Sequence, residues 1–61
     1  MKGLIQVTAI KGKKTITAEV FGDIDKPDEL IGRLLNRNKI LHRDRPLWIM
    51  KEIKLNKEIK L

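Results

Sequence analysis

The sequence has no cysteine, no serine, a single histidine, two prolines and two aromatic side chains, Phe21 and Trp48. Without cysteine there are no disulfides and no thiolate ligands, and His42 alone cannot hold a metal. Without serine or cysteine the common nucleophiles reduce to Thr8, Thr15 and Thr17. No glycine-rich turn of the kind that cradles phosphate joins a strand to a helix. A non-enzymatic protein with no catalytic residues, metal or cofactor is therefore expected. No apolar run approaches the length of a membrane span, and no N-terminal stretch resembles a signal peptide. A soluble protein without a membrane partner follows, and the absence of cysteine fits a cytoplasmic location.

The same absences bear on stability. At roughly 1.5 kcal/mol per ordered residue, a chain of this length loses on the order of 90 kcal/mol of conformational entropy, which apolar burial barely offsets. Domains this small usually add a disulfide, a metal or a partner subunit. Only the partner remains here. Residues 1–61 have room for a single domain.

What the chain has is positive charge. Fourteen Lys and Arg stand against eight Asp and Glu, a net charge of +6. Residues 1–22 carry +3, residues 23–29 carry −3 and residues 30–61 carry +6. Such a chain is drawn to polyanions, although a lysine-rich surface also serves solubility.

Hydrophobic periodicity organises the rest. Residues 4–10 and 15–21 alternate as two strands of a hairpin. With Gly12-Lys13 at the turn, Ala9 faces Ile16, Val7 faces Ala18 and Ile5 faces Val20. On the other side Thr8 faces Thr17 and Gln6 faces Glu19. A slip of one residue would set apolar against polar along the whole ladder, so the register is well specified. Glycine at the first central position predicts a type II′ turn. Asp25 as cap, Pro27 in the first turn, and Asp28 and Glu29 at the positive end of the dipole then predict a helix. Its apolar stripe is Leu30, Ile31, Leu34 and Leu35, and it ends near Asn38. Gly32 within it costs up to about 1 kcal/mol relative to alanine. His42 to Pro46 reads as a polar connector, with Pro46 favouring an extended Arg45.

From Leu47 strand alternation resumes, placing Leu47, Ile49, Ile53 and Leu55 on one face and Trp48, Met50, Glu52 and Lys54 on the other. Lys51-Glu-Ile-Lys-Leu55 then returns as Lys57-Glu-Ile-Lys-Leu61 after Asn56. A spacing of six keeps Ile53, Leu55, Ile59 and Leu61 together on one strand face and scatters them around a helix. The repeat cannot fold back as a hairpin, because Ile53 would face Lys60 and Leu55 would face Glu58. A continuous, bent or bulged strand is expected. The fold class is thus α+β, a small ββαβ domain with one helix on a sheet and a long C-terminal strand. The hairpin from Leu4 to Val20, with Gly12 at its turn and Thr15-Ile-Thr17 after it, resembles the opening of ubiquitin-like β-grasp proteins. That resemblance implies a β-grasp-like sheet as the alternative architecture.

Two surfaces stand out. All four arginines fall between Arg33 and Arg45, and arginine suits bidentate phosphate recognition. Arg33, Arg37, Lys39, Arg43 and Arg45 are the candidate contacts to DNA or RNA. The second surface is the terminal strand: Trp48, Ile53, Leu55, Ile59 and Leu61 are the candidate partner interface. It would serve a homodimer completed by strand pairing, or a protein-binding regulator or inhibitor. Trp48 either covers the core or stands exposed to stack on a base or dock a partner. The sequence names neither the partner, the type of nucleic acid nor the biological process.

Overall fold

The structure is a computed structural model describing residues 1–60. Strands β1 (Lys2–Lys11) and β2 (Lys14–Asp23) form a hairpin, followed by helix α1 (Pro27–Arg37), a short 3-10 helix (His42–Leu47) and strand β3 (Ile49–Glu58). The three strands make one open antiparallel sheet in the order β2-β1-β3. This is a small α+β domain with one helix on a sheet.

The hairpin has the register that its alternation predicts: Ile5 opposite Val20, Val7 opposite Ala18, Ala9 opposite Ile16, Gln6 opposite Glu19 and Thr8 opposite Thr17. Gly12 takes φ of +60° while Lys13 does not enter the positive region, which separates a type II′ from a type I′ turn. On the polar face the Thr8 and Thr17 hydroxyls lie 3.0 Å apart in a hydrogen bond. On the apolar face Ile5, Val7 and Ala9 are completely buried. The strand runs on past the expected end of the hairpin, so Gly22 belongs to β2 and not to a turn. Its missing side chain leaves the space into which Leu30 packs: a Cβ there would lie 2.7 Å from the Leu30 Cδ2.

Leu30, Leu34 and Leu35 of α1 are buried on this face, with Ile31 half-buried beside them. Burying each large side chain removes roughly 1.5–3 kcal/mol worth of apolar exposure. Asp25 is not the cap. Pro27 takes the first helical position with its fixed φ, which leaves Lys26 at the cap without a side-chain hydrogen bond. At the other end Ile40 N–H donates to Leu35 O at 3.0 Å and Lys39 N–H to Asn36 O at 3.1 Å. This crossed pair is a Schellman closure. Lys39 holds the left-handed position at φ of +56°, where glycine is usual, and Asn38 Nδ2 donates to Leu34 O at 2.9 Å.

The connector is helical where an extended Arg45 was expected. Asp44 N–H donates to Leu41 O at 2.9 Å and Trp48 N–H to Arg45 O at 3.1 Å. Pro46 thus sits second in the turn Arg45–Trp48, where its fixed φ is favourable and its missing N–H is not needed.

The third strand departs most from strict alternation. Met50 lies opposite Ala9 and Glu52 opposite Thr8, so Lys51 is an extra residue, and Asn56 is a second one between Leu55 and Lys57. Each bulge inverts the phase. Trp48 and Met50 therefore share the helix-side face with Ile53 and Leu55, while Leu47 and Ile49 are exposed. Past Asn56 the phase inverts again. Lys57 pairs with Leu4 on the open face, and Ile59, whose N–H donates to Lys2 O at 2.9 Å, follows it there. Ile59 is thus read on the face opposite to Ile53 and Leu55, which overturns the single apolar ribbon expected from the spacing of the repeat. Leu61 lies outside the described residues.

Candidate nucleic-acid interface

The two-residue turn makes Lys11 and Lys14 a mutually hydrogen-bonded pair. Alternation along the ladder then turns the N–H and C=O of Glu19 and Phe21 toward the free edge of β2. Arg33 and Arg37 meet them. Arg33 Nη1 donates to Phe21 O at 2.7 Å, and Arg37 Nη1 donates to Glu19 O. Four residues of helix advance about 6 Å and two residues of strand about 6.6 Å, so an i, i+4 pair matches alternate edge carbonyls. The two arginines, candidate phosphate contacts, spend one nitrogen each on this edge. Both side chains stay exposed, with further donors on each guanidinium.

The remaining candidates gather at the C-terminal end of α1. Arg45 is half-buried and its Nη2 donates to Asn36 Oδ1, tying the 3-10 helix to α1. Its Nε is buried without a partner. Lys39, His42 and Arg43 are exposed. Positive charge here also complements the negative end of the helix dipole. Trp48 is 8% exposed and belongs to the core, so of its two expected placements it takes the one that covers the core. Its ring lies under the Lys11 ammonium, 6.0 Å from the centroid.

That last contact shows what the sequence window missed. It places the segment after the 3-10 helix beside the tip of the hairpin, toward which α1 also runs. Lys11, Lys13 and Lys14 therefore join Arg37, Lys39, Arg43 and Arg45 at one end of a molecule 34 Å long. Seven cations gather there, with Asp44 among them and Glu19 beside Arg37. The hairpin lysines are far from the arginines in sequence. The direction of the helix across the hairpin was the signal that could have joined them.

At the opposite end acids and cations are mixed. The Met1 amine lies 3.0 Å from Asp25 Oδ2 and 3.1 Å from Asp23 Oδ1. Hydrogen bonds to Asp25 and then Asp23 hold its pKa above the usual value. The Asp23 carboxyl is held below its usual value, first by the Asp25 backbone N–H at 2.9 Å and then by the amine. Among the described residues no helix is long and apolar enough to cross a membrane.

No protein-family model, curated protein or solved structure matches the chain.

Proposed function

We propose that this ββαβ domain is a small non-enzymatic nucleic-acid-binding protein that engages phosphates with its hairpin-tip and helix-end cations. The observation that carries this is the gathering of cations at one end from two distant segments of the chain. Lys13, Lys14, Lys39 and Arg43 are exposed there, and Arg33, Arg37 and Arg45 keep donors to spare. Such contacts gain affinity by counterion release and position the chain without reading base sequence. The β-grasp likeness is confined to the hairpin and helix and adds nothing to this assignment.

The test is binding to unrelated DNA and RNA oligonucleotides across a salt series. Affinity should fall steeply with salt and be lost in Lys13→Glu plus Arg43→Glu, two exposed positions outside the core. No binding at low salt overturns the proposal. A second reading, a protein-binding regulator or inhibitor docking along β3, is favoured by one observation: Ile53 and Leu55 are only half-buried beside an edge that, among the described residues, no other strand covers. For that reading the relevant variants lie on β3, which separates the two.

A further inference from the structure

The free edge of β3 points to a second copy of this chain as its occupant, and we propose that two copies pair antiparallel across it with Ile53 on the two-fold axis. The proposal is independent of nucleic-acid binding.

The two outer edges of the sheet are not equivalent. The edge of β2 has two of its outward carbonyls, those of Glu19 and Phe21, engaged by Arg37 and Arg33, whereas β3 packs along β1 and among the described residues has no strand on its other side. Gln6 and Thr8 turn their backbone groups toward β3, so by the same alternation Ile53 and Leu55 turn theirs toward solvent. Helix α1 lies over β2 and β1, which leaves Ile53 and Leu55 half-covered on the helix side.

The bulges select the register. Between Lys51 and Asn56 only Glu52–Leu55 alternate regularly. The pleat requires like faces to oppose, so a symmetric antiparallel pair within this run centres on a residue and not between two. Centring on Glu52 opposes two glutamates, and centring on Lys54 opposes two lysines. Centring on Leu55 runs into the Asn56 bulge. Centring on Ile53 sets Ile53 against its own copy on the helix side and Glu52 against Lys54 of the second copy, twice, on the open face. Opposite charges in cross-strand positions stabilise, and like charges there destabilise. Within one chain Glu52 and Lys54 lie opposite Thr8 and Gln6, both neutral, so their charges have no cross-strand counterpart until a second copy arrives. The regular run is short, and a weak, concentration-dependent dimer is the expected product.

Sedimentation equilibrium over a wide concentration range tests this on the full chain, with circular dichroism confirming that each variant is folded. The parent should associate. Glu52→Lys and Lys54→Glu should each weaken association by tenfold or more, and the double exchange Glu52→Lys plus Lys54→Glu should restore it. A parent that stays monomeric at millimolar concentration overturns the proposal. So does association that ignores Glu52→Lys, or that the double exchange fails to restore.

Discussion

One edge of the sheet is partly capped by the chain itself and the other is left open, although both belong to strands of ten residues. At β2 the helix lies alongside, and two arginines four apart donate to two alternate carbonyls. At β3 lysines are the main protection, and lysine opposes pairing only by its charge and hydration. The difference lies in what each strand is adjacent to in sequence. A helix that follows β2 directly can return over it with its side chains in register. β3 follows the helix and the 3-10 segment, and among the described residues no element packs along its outer side. A small α+β domain with one helix can therefore guard part of one edge and leaves the other to charge or a partner.

Removing the helix's anchor should break this contrast with the largest effect. Leu34 is completely buried, and Leu34→Ala should cost about 2–5 kcal/mol in urea unfolding. It should also release the amide protons of β2 to faster hydrogen exchange than those of β1. Arg33→Ala with Arg37→Ala should make the two edges alike at a smaller cost. Each lost hydrogen bond is worth roughly 0.5–1.5 kcal/mol, and the newly bare carbonyls should raise light scattering on concentration. Unchanged scattering would show that the arginines do not guard the edge. Lys39→Gly should sharpen the contrast with the smallest effect. It relieves the left-handed backbone at the helix end and should raise stability by about 1 kcal/mol, read as a higher urea midpoint.

The hairpin was legible because both of its faces agree: a single register pairs apolar with apolar and polar with polar. The helix was legible from its stripe, but its cap was misplaced by one residue, since Pro27 fixes the first position more firmly than Asp25 attracts it. β3 was misread because strict alternation was extended through Lys51. The spacing of three between Met50 and Ile53 is itself the mark of an inserted residue. Reading it so would have moved Trp48 into the core and Ile49 out. The candidate site was legible only in part. A contiguous window found the arginines, whereas the lysines at Gly12 are brought to them by tertiary structure.

The two copies of Lys-Glu-Ile-Lys-Leu have a consequence for folding. Because they are identical, β1 can be offered either of them as a partner, six residues apart, with the same local side chains in either frame. The sequence therefore encodes a competing, frame-shifted strand that local pairing cannot reject. Discrimination falls to residues outside the repeat. Only the native frame brings Trp48 and Met50 to the core and sets Asn56 where its side-chain amide donates to Glu19 Oε2 at 3.0 Å. Trp48 thus acts as a frame marker for the strand that follows it, and its burial is what makes one of two equivalent pairings the native one.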